Sequence, residues 1–258
     1  MAHDVSWQKI FDDFKILEHD FEKEPYVLTA QNIKTACQNF KNTSEKEVRI
    51  LCKQDSREDR PQVFKDNGLF ILPKKNRPGE FYILKGEGYV DIPDITTPIL
   101  PYNKKINFEL KSSLVGDSEM QYVDFAYANS LIRTFMDDPS LVLTIRGRKY
   151  TPPFSFSVGN NHLSVQSVQT EVDAGYEGEN SIVLIEAKNS NTHSTIIRQL
   201  YYPYRQWQIE TGKPVYTVFF ERRRIGKENI FYLWLYEFTD NNDYNSVKLV
   251  RSARYRII

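Results

Sequence analysis

The stretch that most constrains this chain is Ser164–Asn189, SVQSVQTEVDAGYEGENSIVLIEAKN. It alternates like two β-strands around a turn. Gln169, Glu171 and Asp173 fall on one face of the first strand, and Val168, Thr170 and Val172 on the other. On the second strand Val183, Ile185 and Ala187 point one way, and Glu186 and Lys188 the other. Gly175, Gly178 and Glu179-Asn180 supply turn chemistry. A hairpin symmetric about Glu179-Asn180 sets Asp173 opposite Glu186 and Glu171 opposite Lys188. Directly opposed residues stand roughly 4.5–5.5 Å apart at Cβ. Two carboxylates that close repel one another unless a cation lies between them, and paired hard oxygens suit Mg²⁺. A lysine beside them can hold or polarise a water, so the pattern predicts a metal-dependent hydrolytic site. A surface hairpin with an exposed Glu-Lys pair is the plainer alternative, but it requires neither the opposing aspartate nor the apolar strand Ser181–Ile185.

Asp173 followed by Glu186-Ala187-Lys188 at the end of an apolar strand, with a helix-like segment after it, resembles the PD-(D/E)XK nuclease superfamily. Type II restriction endonucleases are its best-known members. Val172 stands where the motif's name has proline. The resemblance implies a restriction-endonuclease-like α+β fold, a mixed central sheet flanked by helices. It implies that Asp173, Glu186 and the Ala187 carbonyl hold Mg²⁺, and that Lys188 orients the attacking water and balances developing charge. Products would carry 5′-phosphate and 3′-hydroxyl ends. Gln199 resembles a glutamine that some of these enzymes set beside the metal. Glu119, in the first turn of a helix ahead of the core strands, either joins the site or compensates the helix dipole. Glu171 is a further possible ligand. The same resemblance implies double-stranded DNA as substrate, a homodimer, a DNA methyltransferase as genetic companion, and a bacterial or archaeal cytoplasm. A repair or recombination nuclease with this core, and a non-catalytic DNA-binding regulator, are the alternatives.

Composition permits this. The chain has 258 residues, 40% apolar and 26% charged, enough for one large domain or two small ones. No apolar run approaches the ~18 residues of a membrane span. The start, MAHDVSWQKIFDDFKI, lacks a secretory leader's apolar core, and Cys37 and Cys52 lack zinc-ligand spacing. Net charge is zero, yet 11 of 34 basic residues and only 6 of 34 acidic ones lie from His193 onward. A basic carboxy-terminal face can follow a phosphate backbone. No Gly-rich phosphate loop or nucleophile elbow is present.

The remaining elements fall into two regions, 1–100 and 101–258. In the first, Trp7, Ile10, Phe11, Phe14 and Leu17 predict a helix over 4–23. Thr29 can cap a second helix, and Ser44 with Glu47 can form the capping box of a third. Residues 60–69 read as a short helix ended by Asn67-Gly68. Two strands around the basic loop Lys74-Lys75-Asn76-Arg77 follow. Helices followed by a hairpin fit a winged-helix DNA-recognition domain, with Lys74, Lys75 and Arg77 contacting phosphate, and fit equally an ordinary small helical domain. Residues 91–105, with Pro93, Pro98 and Pro101, read as a linker. In the second region, Ser118 and Gln121 predict a capped helix with Met120, Val123, Tyr127, Leu131 and Phe135 on one face. Strands follow, then a helix from His193 broken or kinked at Pro203, then closing strands. Arg198, Arg205, Arg222 and Arg224 are candidate DNA contacts, because a guanidinium forks onto phosphate oxygens. Tyr201, Tyr202 and Tyr204 read as packing residues.

Overall fold

The computed structural model describes residues 3–189 and 191–258. The chain begins with α1 (Asp4–Asp13), a 3₁₀ turn at Ile16–Glu18, β1 (Tyr26–Thr29) and α2 (Ala30–Cys37). Next come α3 (Thr43–Lys46), α4 (Val48–Leu51), α5 (Gln62–Asp66), β2 (Leu69–Lys75) and β3 (Glu80–Lys85). The three strands form an antiparallel sheet in the order β1-β3-β2. Trp7, Phe11 and Phe64 pack edge to face beneath it, with Trp7 and Phe64 centroids 4.8 Å apart. The buried Trp7 Nε1–H donates to the Leu51 carbonyl at 3.0 Å, which satisfies the indole in the core.

Local signals set some boundaries and tertiary packing moved others. Thr29 caps α2 as its sequence predicts, with Asn32 N–H donating to Thr29 Oγ1 at 3.1 Å. Asn67 and Gly68 (φ 61°) end α5. The helix expected over 4–23 stops at Asp13, and Lys15 turns left-handed at φ 49°. That break turns Ile16 into the core and leaves Leu17 exposed, an exchange a continuous helix cannot make. The Ser44–Glu47 capping box does not form. Asn42 precedes α3, and Glu47 is extended (ψ 117°), splitting the segment so that Leu51 is buried.

The rest of the chain runs β4 (Tyr89–Asp91), β5 (Leu100–Tyr102), α6 (Glu119–Ala128), α7 (Leu131–Met136), β6 (Val142–Tyr150), β7 (Phe154–Val158) and β8 (Asn161–Val165). It continues through β9 (Gln169–Glu177), β10 (Ile182–Lys188), β11 (Ser194–Ile196), α8 (Ile197–Thr211), β12 (Val215–Ile225), β13 (Glu228–Phe238) and β14 (Val247–Ile257). Seven strands form one sheet in the order β5-β14-β13-β12-β10-β9-β6. β10 runs parallel to β12 and β14 to β5, and the other pairs are antiparallel. The fold is therefore α+β, a large mixed sheet flanked by helices. α6 and α7 cover one face over Val183, Ile185, Val218 and Leu233. α8 and the β7–β8 hairpin cover the other over Ile182, Leu184, Phe219 and Trp234.

The stretch expected as a linker, 91–105, contains the strand β5 and the last residue of β4 instead. β4 pairs with β11, and β5 joins the edge of the large sheet beside β14. Ser194–Ile196 are consequently strand, so the helix expected from His193 starts at Ile197. It runs unbroken through Pro203, whose missing N–H leaves the Gln199 carbonyl without its helical donor. The capped helix is divided at Ser130, which lies at φ 64°. Among the described residues no helix is long and apolar enough to cross a membrane.

The small sheet joins the two regions because it is buried on both faces. Leu69, Ile71 and Ile83 face the amino-terminal helices, whereas Phe70, Leu72, Tyr82 and Leu84 pack into the α8-side core. Hydrogen bonds reinforce the contact, with Tyr202 OH donating to the Pro73 carbonyl and Tyr82 OH to the Ser164 carbonyl, each at 3.0 Å. Gly88 sits at this joint, where an added Cβ would lie 2.2 Å from Phe70 Cδ2. The Phe70 ring is fully buried and has nowhere to withdraw. Gly88→Ala is therefore expected to destabilise the fold by roughly 1–3 kcal/mol, read as a lower urea midpoint. An unchanged midpoint would show that the joint is loosely packed.

Candidate active site

The β9–β10 hairpin has the predicted register, with Ile182 opposite Glu177 and Ile185 opposite Ala174. Continued by one residue, it sets Asp173 opposite Glu186. The backbone ladder stops there, and the aspartate side chain takes its place, with Ala187 N–H donating to Asp173 Oδ2 at 2.8 Å.

On its other edge β9 carries an irregularity that the sequence did not announce. Ile145 of β6 pairs with Gly175 and Gly147 with Val172, so three steps of β9 match two of β6. This is a β-bulge beside Asp173, and it reverses the alternation. Before it, Val172 faces α8; after it, Ala174 and Tyr176 face α6 and α7. Asp173, set opposite Glu186 by the hairpin register, shares the α8 side of the sheet with Glu186 and Lys188, and the bulge brings Val172 to that same side. The expected grouping of Glu171 with Asp173 fails for the same reason. Glu171 is exposed and pairs with Arg148 at 3.2 Å, although it still borders the cleft.

A cleft of about 440 Å³ opens at this point. Asp173, Glu186, Lys188, Glu119 and Gln199 all border it, although they come from four different elements. Glu186 is almost fully buried, and its Oε1 accepts from Lys188 Nζ at 2.6 Å. Burial pushes the Glu186 carboxyl up to about 7, the neighbouring Asp173 charge adds to this, and Lys188 opposes it. Asp173 is raised as well, first by burial, against the Ala187 N–H and Lys188. Burial disfavours the Lys188 ammonium, but the attraction of Glu186 with its hydrogen bond, and the charges of Glu119 and Asp173, hold its pKa above the ordinary value. A buried and a half-buried carboxylate thus face one ammonium, an imbalance that a cation would relieve.

The donor chemistry fits Mg²⁺. One oxygen of each carboxylate is engaged, by Ala187 N–H and by Lys188, so Asp173 Oδ1 and Glu186 Oε2 accept no hydrogen bond from the described residues. Hard oxygens in small number suit an ion that keeps most of its waters. Among the described residues no three His, Cys, Asp or Glu side chains stand together as a ready ligand set. Glu119 opens α6, whose Ser118 Oγ accepts from Gln121 N–H at 3.2 Å. Gln199 Oε1 accepts from Thr195 Oγ1 at 2.7 Å.

The basic candidates separate sharply. Arg198 borders the cleft and pairs with Asp55 at 3.5 Å. Arg205 is buried beneath the 240–243 turn, donating to the Asn241 carbonyl and to Asn242 Oδ1. Arg222 is buried too, paired with Asp117 and stacked over Tyr122. Neither guanidinium lies open to a phosphate, which corrects the expectation for both. Arg224, Lys75 and Arg77 are exposed, and Lys74 is tied to Glu80 at 2.9 Å. Lys74 and Lys75 border a second cavity of about 390 Å³, against Phe154 and Ser164. Tyr201, Tyr202 and Tyr204 are core residues as expected. Arg49, Cys52, Lys53 and Asp55 also line the main cleft. They come from α4 and the irregular segment after it, far from the motif in sequence, and no spacing rule singles them out.

The raised Glu186 pKa has a definite sign. The folded chain holds this proton more tightly than the unfolded chain, so its contribution to stability is full below the ordinary glutamate value and is lost as pH rises through about 7. Glu186→Gln removes the titration. Without divalent cations, the melting temperature of the variant minus that of the parent should increase between about pH 5 and about pH 8. A pH-independent difference would contradict the burial argument.

Residues 84–256 match the family model described as domain of unknown function DUF6997, and residues 4–81 match that described as domain of unknown function DUF6996. No curated protein and no solved structure matches the chain. The first match contains the cleft's motif strands and most of the chain, and on it the chain belongs to the DUF6997 family.

Proposed function

We propose that this protein is a Mg²⁺-dependent endonuclease acting on double-stranded DNA, of PD-(D/E)XK type and in its simplest form a type II restriction enzyme. The observation that carries the reading is the convergence of Asp173, Glu186 and Lys188 in one open cleft. Support also comes from the order of elements. Helices α6 and α7, the antiparallel run β6-β9-β10, helix α8 and then β12 parallel to β10 follow the order helix, strands, helix, strand that the resemblance implies. In the amino-terminal region, helices joined to a β2–β3 hairpin with an exposed Lys75 and Arg77 tip are compatible with winged-helix DNA recognition.

In this reading Asp173, Glu186 and the Ala187 carbonyl hold the ion. Mg²⁺ bound there supplies Lewis-acid polarisation of the phosphate and lowers the pKa of a bound water. Both carboxylates must be ionised to bind it, so activity should rise with pH as Glu186 loses its proton. Lys188, now donating to Glu186, is placed to turn towards the water and the developing phosphorane charge. The water oxygen bonds to phosphorus as the P–O3′ bond breaks, and the water's proton passes to the departing 3′ oxygen. A 5′-phosphate and a 3′-hydroxyl result. Cutting both strands calls for two such sites, hence a homodimer, and a sequence-specific nuclease calls for a methyltransferase to protect the host genome.

Plasmid and phage DNA with the purified protein tests this. Discrete fragments that require Mg²⁺ and vanish with EDTA are expected, and Lys188→Ala should slow cleavage roughly 10²–10³-fold. A smear with the same dependence indicates a less specific repair nuclease. Intact DNA, both methylated and unmethylated, with a magnesium-independent gel shift would replace the enzyme reading with a DNA-binding regulator.

A further inference from the structure

The cleft poses an electrostatic problem for the substrate proposed above. Its carboxylates repel a nucleic-acid strand, and an ion held between them can offset only the phosphate it touches. The phosphates on either side need cations from the protein. Of the cleft's basic side chains, Lys188 is committed to Glu186 at 2.6 Å and Arg198 lies against Asp55 at 3.5 Å. Arg49 and Lys53 are differently placed. Both border the cleft, and both side chains are largely exposed, 85% and 73%. Each has a carboxylate only at a distance beyond good hydrogen-bond geometry, Glu47 at 3.7 Å and Asp55 at 3.6 Å.

The backbone that follows them is fixed to the β4–β11 strand pair. Ile196 N–H donates to the Asp55 carbonyl at 2.8 Å, Tyr89 OH to the Gln54 carbonyl at 3.1 Å, and Arg57 N–H to Ser194 Oγ at 3.1 Å. β4 and β11, which supply all three of these partners, pair directly ahead of α8, the helix that places Arg198 and Gln199 on the cleft. The amino-terminal unit therefore completes the cleft wall at a set position, with two exposed cations at its lip.

We propose that Arg49 and Lys53 bind the strand's phosphates beside the reacting one, so that the amino-terminal unit forms part of the nuclease site itself. This inference rests on the nuclease reading for its substrate, but it predicts binding rather than chemistry. It concerns the phosphate backbone, which carries no sequence information, and so leaves base reading to other residues.

The test is the salt dependence of binding to a fluorescent random-sequence DNA duplex, in Ca²⁺, by anisotropy. Arg49→Gln/Lys53→Gln is compared with the parent and with Lys15→Gln/Lys23→Gln, which removes two exposed charges of the same unit outside the cleft. Each lost phosphate contact lowers the slope of log K against log salt by about 0.9. The cleft pair should lower it by nearly two and raise KM for cleavage with kcat little changed, while the control pair leaves both unaltered. Equal slopes for the two double variants, with Mg²⁺-dependent cutting by the parent, would overturn this inference and leave the nuclease reading standing. A reduced slope for the cleft pair with no cutting by the parent would uphold phosphate binding at the lip and sink the nuclease reading. A parent that does not bind the duplex would overturn both.

Discussion

The site depends on the register of the β9–β10 hairpin and on the one hydrogen bond that closes it. That register alone sets Asp173 opposite Glu186, on the same side of the sheet. The extra residue against β6 sends Val172 and Asp173 to the same side. The Ala187 N–H then fixes one aspartate oxygen where a backbone carbonyl would otherwise accept. Everything later in the cleft follows from that exchange, including the crowding of two carboxylates and the position of Lys188. The bulge re-aims the residues before it, taking Val172 into the α8-side core and Glu171 off the face of Asp173.

Such crowding costs stability, and the surrounding packing offsets it. Glu186 follows four apolar residues of its strand, Ile182–Ile185, between two hydrophobic cores. On the α8 side, Phe154, Phe156, Tyr201, Tyr202 and Tyr244 interlock edge to face and hold the helix rigidly over the sheet. That rigidity is what keeps Gln199 and Arg198 at the cleft despite a proline within the helix. Buried ionisable groups with raised pKa values, set in a cavity and supported by a stiff scaffold, mark functional sites more often than structural ones. The same aromatic cluster accepts Phe70 and Tyr82 from the small sheet, so the two family regions share a core.

What could be read from the sequence was what local rules govern. The hairpin register followed from a symmetric turn, and the caps at Thr29 and Ser118 followed from side chains that reach their own backbone. The bulge could not be read, because it exists only relative to β6, which pairs across more than twenty intervening residues. β5 was hidden among prolines and β4 by its length of only three residues, since an edge strand needs only a few backbone donors and its partners lie far away in the chain. Arg205 and Arg222 looked free because charge alone does not reveal the 240–243 turn or Asp117. Arg49 and Lys53 looked ordinary because only the docking of their segment brings them to the cleft.

The central claim is that Asp173 and Glu186 share a divalent cation. Crystals soaked in Mn²⁺ and measured at its absorption edge test it directly. The account predicts an anomalous peak within coordination distance of both carboxylates, with Lys188 released from Glu186. A cleft without a peak, or a Lys188–Glu186 pair unchanged while Mn²⁺ sits elsewhere, would contradict it.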